Sequence, residues 1–364
     1  MCEFDDDREN AWVNRLTATT TAYRNSLLTA RLAAQRLSGP PAADVVEATR
    51  HLLAVQAQDP RGARLAVRAR SVSKAAVDVD HALTRERSLV ITWVNRGTLH
   101  LIAAEDEPML HVLTTPQLRT TSDRRLRQEG VTPTQAQRGV DAIVNALRTH
   151  GPMNRAQLRA VLERVRVPVA RQAMVHILFR ASLDGLILRG PMVGTEQAFV
   201  LAADWLGPRP RIDRDRALAE LAHRYLVAHG PASDRDLARW AQLPLRDARA
   251  ALQGIAGRLV QRADGLVDLR GKQRWPLPAP RLLGPFDPIL LGWSSREFVL
   301  DGAERVVTAN GMFKAIALID GRAAGSWTMP GGRVQLQLWS EQPRATMTKL
   351  ARDASAVEAF LARG

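Results

Sequence analysis

Hydrophobic residues return at three- and four-residue intervals through most of the first 275 positions, and at alternate positions in short runs beyond them. The first rhythm predicts amphipathic helices, the second half-buried strands. Helical rhythm is clear over Val45–Val55, Gly62–Ala69 and Val77–Leu83. Val90-Ile91-Thr92-Trp93 and Leu99-His100-Leu101-Ile102 then alternate on either side of Asn95-Arg96-Gly97, which predicts a hairpin. Further on, His150-Gly151-Pro152-Met153-Asn154-Arg155-Ala156-Gln157-Leu158 is echoed by His229-Gly230-Pro231-Ala232-Ser233-Asp234-Arg235-Asp236-Leu237. In each copy a helix (Val140–Thr149, Ala217–Ala228) is expected to stop at His-Gly-Pro, glycine supplying the helix-ending backbone and proline barring continuation. Asn154 or Ser233 can cap the next helix, and another amphipathic helix follows (Val169–Ser182, Leu245–Leu252). Each copy closes in a strand pair, Leu186–Gly190 with Ala198–Leu201 and Leu259–Arg262 with Leu266–Leu269.

Helix, turn, helix and a two-stranded wing is the winged-helix plan. The expected fold class is therefore α+β, with three tandem winged-helix units over residues 27–120, 121–210 and 211–275, after an extension at 1–26. Pro276, Pro278, Pro280 and Pro285 predict a stiff linker. Beyond it Phe298–Leu300, Arg305–Ala309, Met312–Ile319, Gly325–Met329 and Arg333–Trp339 read as strands. Asn310-Gly311, Asp320-Gly321 and Pro330-Gly331-Gly332 supply the turns. Residues 276–364 are thus expected to hold a small β-barrel or curled sheet closed by the helix Lys349–Leu361.

Composition narrows the partner more than the chemistry. A chain of 364 residues predicts about two to four modules. Lys and Arg number 51 against 37 acids, a net charge of +14, which points to a polyanion. The single cysteine, Cys2, excludes an internal disulfide framework and fits a reducing cytoplasm. The acidic start Met1-Cys2-Glu3-Phe4-Asp5-Asp6-Asp7 is unlike a signal peptide. Apolar runs stay short of the about 18 residues of a membrane span. The eight histidines show no metal-ligand spacing, no Gly-x-Ser-x-Gly elbow is present, and Gly331-Gly332 lacks the Lys-Ser/Thr of a phosphate loop. Metal and cofactor are therefore not expected.

The candidate chemistry lies in Val55-Gln56-Ala57-Gln58-Asp59-Pro60. Glutamines at i and i+2 point to nearly opposite faces of a helix but to one face of extended chain. Asp59 precedes Pro60, which disfavours helical backbone there, so the helix should end near Val55 with both glutamines on a turn. Amides are no general bases, but they can hold a water and set carbonyl dipoles against a developing positive charge.

This triplet, then Arg96-Gly97-Thr98-Leu99-His100-Leu101, then two helix–wing repeats and a β-rich tail resemble, in that order over residues 27 to 345, the AlkZ-like winged-helix DNA glycosylases. The resemblance implies removal of bulky alkylated bases and unhooking of interstrand crosslinks, with Gln56 and Gln58 catalytic. A sister branch carries Asp at the second glutamine; Gln58 aligns the chain with the AlkZ-like branch, often linked to self-protection against a DNA-damaging natural product. A guanine alkylated at N7 already carries positive charge, so its glycosidic bond breaks through an oxocarbenium-like state with little proton assistance. Positioned water and charge stabilisation then suffice, and no catalytic lysine is needed, so base excision without strand cleavage is expected. An open basic cleft suits a bulky adduct better than a closed pocket.

The expected partner is double-stranded DNA carrying alkylated purines, bound by a monomer. Arg61, Arg64 and Arg68 would line one helical face toward phosphates, or a solvated face of an Arg-rich chain. Arg96 joins them at the first wing. The Asn310-Gly311 tip, with Met312, Phe313 and Lys314, could probe a minor groove, or Phe313 and Met312 could fill the barrel core. Arg171, Arg180, Arg246 and Arg249 share the ambiguity of the other arginines, whereas Trp93 and His100 read as core. A different class, a winged-helix regulator without chemistry, predicts tight operator-specific binding, where a glycosylase binds undamaged DNA weakly and blind to sequence.

Overall fold

The computed structural model describes residues 24–193, 196–302, 306–308 and 311–362; the expected extension at 1–26 lies almost wholly outside them. Helix α1 is described over residues 24–34, and α2 (Val45–Leu52) starts at Asp44, whose side chain accepts from the Glu47 N–H. The helix expected to reach Val55 stops three residues earlier. Leu53 takes φ 66° and ψ −46°, and the Ala54 N–H bonds Leu52 C=O at 2.8 Å, a γ-turn that breaks the helical ladder. Extended chain follows as β1 (Val55–Gln56), and Asp59 with Pro60 restarts the helix as α3 (Pro60–Arg68). Next come α4 (Val77–Thr84) and the hairpin β2 (Leu89–Val94) and β3 (Thr98–Ala103), Asn95 and Gly97 at its turn both having positive φ.

Two helices, α5 (Glu107–Thr114) and α6 (Pro116–Gln128), lead to α7 (Pro133–His150), α8 (Arg155–Arg164) and α9 (Ala173–Leu183). The strands β4 (Ile187–Val193) and β5 (Glu196–Leu201) follow, then α10 (Ala202–Leu206). The echo comprises α11 (Arg214–His229), α12 (Asp234–Ala241), α13 (Leu245–Gln253), β6 (Leu259–Gln261) and β7 (Val267–Leu269). Asn154 and Ser233 cap α8 and α12 through reciprocal capping boxes with Gln157 and Asp236. The two His-Gly-Pro stops work differently. Gly151 ends α7 with φ 73°, whereas Gly230 has φ −69°; there a Cβ would lie 2.3 Å from Asp268 Oδ1, so close approach excludes a side chain.

The first two wings are not separate ribbons. They merge in one five-stranded sheet of order β1-β3-β2-β4-β5, joined where Ile91 pairs with Arg189. The fusion buries β2 completely, because it lies between two strands instead of at an edge.

The proline-rich segment contributes a strand of its own, β8 (Arg281–Leu283), and leads into α14 (Pro288–Leu291). The expected strand Phe298–Leu300 is instead part of a helix, α15 (Glu297–Leu300), since so short an apolar run fits either geometry. Strands β9 (Ile316–Ile319), β10 (Arg322–Thr328) and β11 (Gln335–Leu338) complete an open antiparallel sheet of order β11-β10-β9-β8. The expected closed barrel does not form. Four short strands leave β8 and β11 as edges, and α16 (Arg344–Ala362) packs against the sheet through Leu350, Val357 and Phe360.

The largest apolar core crosses the expected unit boundaries, running from Leu28 and Leu32 through Val90, Leu221 and Trp240 to Leu283 and Ile316. Arg70 and Asp287, both fully buried, pair across it: Nη1 donates to Oδ2 at 2.9 Å and Nη2 to Oδ1 at 2.7 Å. Arg70 also donates to Gln35 and to the Ala66 carbonyl, which occupies its five donors.

Candidate active site and nucleic-acid interface

Extended backbone at β1 sets the geometry of the glutamine pair. Gln56 is in register with His100 on β3, and the Ala57 N–H bonds the Leu99 carbonyl at 2.7 Å. Two residues apart on extended chain, the Gln56 and Gln58 side chains meet, and Gln56 Nε2 donates to Gln58 Oε1 at 2.8 Å. Gln56 is 7% exposed, while Gln58 is open to solvent. From the β2–β3 turn, Arg96 donates through Nη2 to Gln56 Oε1 at 3.1 Å and through Nη1 to the Trp240 carbonyl on α12 at 2.9 Å.

The charge around this pair is one-sided. Burial, reinforced by Arg239 and Arg296, pushes the Arg96 guanidinium down to about 10, so it remains a cation at neutral pH. Burial, helped by Arg96, pushes His100 down to about 3, so its imidazole is neutral; Nδ1 contacts the Thr98 carbonyl at 2.9 Å. Arg239 is exposed on α12. Arg296 donates to the Leu290 carbonyl at 2.6 Å and lies 4.8 Å over the Phe313 ring. Among the described residues no carboxylate pairs with Arg96, Arg239 or Arg296, and clustered cations without counter-charges are an electrostatic footprint for phosphate.

The other sequence-predicted cations part company. Arg61 is exposed at the rim of a cavity of about 410 Å³, together with Asp59, Leu65, Lys314, Trp327 and Met329. Arg64 pairs with Asp80 and Arg68 with Asp353, their side chains only 14% and 12% exposed, so neither presents a free guanidinium to phosphate. Helical spacing groups both with Arg61 but cannot reveal partners from other elements. Arg171, Arg180, Arg246 and Arg249 likewise each pair with a carboxylate. Near the tip, Met312 is 52% exposed and Lys314 is exposed, while Phe313 is half-buried against Phe286 and under Arg296. The Thr308 N–H bonds the Met312 carbonyl at 2.9 Å and the Lys314 N–H bonds the Val306 carbonyl at 2.8 Å; Asn310 lies outside the described residues.

Arg239 and Arg296 were not found from sequence. Arg239 follows a capping box on a helix with an ordinary solvated face, and Arg296 sits beside a run read as a strand. Among the described residues no three His, Cys, Asp or Glu side chains converge on a metal position, and no helix is long and apolar enough to cross a membrane.

Comparison with known proteins places the chain in a family. The model of the family described as DNA glycosylase AlkZ-like matches residues 49–363. The interstrand DNA cross-link repair glycosylase of Streptomyces sahachiroi is 28% identical over 349 residues, spanning 87% of this chain and 90% of that protein. The solved structure of Streptomyces sahachiroi DNA glycosylase AlkZ shares the fold, with a TM-score of 0.75 at 23% identity over 94% of this chain and 97% of that one. With the family's pattern running from α2 to α16, the chain belongs to the AlkZ-like DNA glycosylases, hydrolases acting on N-glycosyl bonds of DNA.

Proposed function

We propose that this glycosylase excises N7-alkylated purines from duplex DNA, including bulky adducts and interstrand crosslinks, with Gln56 and Gln58 at the scissile bond. The observation that carries the reading is the hydrogen-bonded glutamine pair set beside three arginines that no carboxylate neutralises among the described residues. The cross-link activity in the relative's name supports the substrate class. As the C1′–N9 bond of the cationic base breaks, its electron pair neutralises the leaving purine and positive charge develops on the sugar. An amide carbonyl stabilises that charge and orients a water whose oxygen bonds C1′; the water's proton passes to solvent. The products are the free base and an abasic site, with the strand intact.

In this reading Arg61, Arg239, Arg296 and Lys314 contact phosphates, and exposed Met312 extends toward the duplex; Asn310 is assigned to the same contact from sequence alone. Gln58 is open to solvent, which suits an adduct too large for a closed pocket. Three winged-helix units over 27–120, 121–210 and 211–275 remain our organisation of the chain, two of them sharing a sheet. Gln56, Gln58, Arg96 and Trp240 meet within one chain, which supports a monomer as the acting species, and DNA in the cytoplasm is its proposed place of work.

The test is incubation with a duplex containing N7-methylguanine, and with one carrying an N7–N7 crosslink, measuring free base and abasic sites. Gln56→Ala and Gln58→Ala should each slow release on the order of 100-fold or more with folding intact. Release at the wild-type rate from both variants would overturn the assignment.

A further inference from the structure

We infer that Arg96 is a positioning residue that sets the direction of both active-site amides, leaving Gln58 as the amide that touches the attacking water. The inference rests on the preceding reading that the glutamine pair faces the scissile bond. From sequence Arg96 is a candidate phosphate contact at the first wing, but its guanidinium is turned inward. Nη2 is used on Gln56 Oε1 and Nη1 on the Trp240 carbonyl.

A carboxamide can present either end to a neighbour, and only its partners decide which. A guanidinium donates and never accepts, so the end of Gln56 facing Arg96 must be the carbonyl. Its NH2 then points away and donates to Gln58 Oε1. The relay Arg96 to Gln56 to Gln58 thus has one polarity. Gln56, nearly buried, uses its carbonyl on Arg96 and its amide on Gln58. Exposed Gln58 keeps one carbonyl lone pair for a water hydrogen and a free NH2 for substrate.

Arg96 is itself held at both ends. Its turn is pinned by the Asn95 N–H on Thr114 Oγ1 at 2.8 Å, with positive φ at Asn95 and Gly97 on either side. Its other donor reaches the Trp240 carbonyl on α12, so the position of α12 helps set the amide direction. Without the guanidinium, both amides can turn over together and present the opposite polarity to the water.

Single-turnover excision from the N7-methylguanine duplex at saturating enzyme, with the Kd for the same duplex, separates a positioning role from a phosphate contact. Arg96→Met should slow the step on the order of 10- to 100-fold while Kd stays within about twofold. Millimolar methylguanidinium should restore part of the rate to Arg96→Ala, a rescue that requires a folded site. Arg96→Lys should recover only part of it, since an ammonium lacks the planar fork. In a Gln58→Ala background Arg96→Met should cost nothing further, because the relay ends at Gln58. A weaker Kd with a salt slope lowered by about one and an unchanged saturated rate would make Arg96 a phosphate contact and overturn the inference. An undiminished effect of Arg96→Met in the Gln58→Ala protein would overturn Gln58 as the terminal link. If Gln56→Ala and Gln58→Ala keep the full rate, it is the glutamine reading that falls; if they are slow and Arg96→Met is wild type, the inference alone falls.

Discussion

Two residues beside the glutamines, one charged and one neutral, owe their shifted protonation equilibria to the same cause. Burial disfavours the charged form of both, yet Arg96 starts so high that being lowered to about 10 leaves it cationic, while His100, lowered to about 3, is neutral. The sign of each shift sets the pH behaviour. His100 takes a proton only as pH falls toward 3, and Arg96 loses one only as pH rises toward 10, so neither changes state in between. Single-turnover excision of N7-methylguanine, already cationic without enzymatic protonation, should therefore be flat between about pH 5 and 9. A limb near neutrality in the measured profile would show that a general acid or base takes part.

At the scale of elements, the turn from β1 into α3 holds the only carboxylate in the Val55–Pro60 string. Asp59 follows Gln58 directly and invites a general-base role, but Oδ1 accepts the backbone N–H groups of Arg61 at 2.9 Å and Gly62 at 3.0 Å. Its work is capping α3. Asp59→Asn, which keeps the cap, should leave excision within about twofold, and Asp59→Ala should cost about 1 kcal/mol in urea unfolding. A loss of excision in Asp59→Asn comparable to that of Gln58→Ala would return the carboxylate to the mechanism. The γ-turn at Leu53 belongs to the same element: it ends α2 early enough for Gln56 to enter the sheet opposite His100. Positive φ at a buried leucine is a strained arrangement maintained by the surrounding core.

Across the whole molecule, the continuous core and the Arg70–Asp287 pair join the first unit to the segment after the prolines. Asp287 also accepts the Ile289 N–H at 2.9 Å, so one carboxylate serves the pair and the start of α14. Asp287→Ala strands a fully buried guanidinium and should destabilise the protein by about 3–5 kcal/mol, read as a lower urea midpoint. The tie also matters to the site. Arg96 and Arg239 come from the first and third expected units and Arg296 from the segment beyond, so their convergence requires all three to be packed together.

What the sequence determined by itself is local. Helical rhythm, the Asn154 and Ser233 caps, the hairpin around Asn95-Arg96-Gly97 and the same-side placement of Gln56 and Gln58 on extended chain each depend on neighbours a few residues away. Tertiary structure decided the rest. It fused two wings into a sheet, left the C-terminal strands open under α16, and made a helix of Glu297–Leu300. It also engaged Arg64 and Arg68 with carboxylates, left Arg239 and Arg296 without a carboxylate partner among the described residues, and turned Arg96 onto Gln56. The partners explain the division: Arg68 meets Asp353 across 285 positions and Arg96 meets Trp240 across 144. Periodicity reports which face of an element is apolar, but the destination of a charged side chain is set by whichever distant element packs against it.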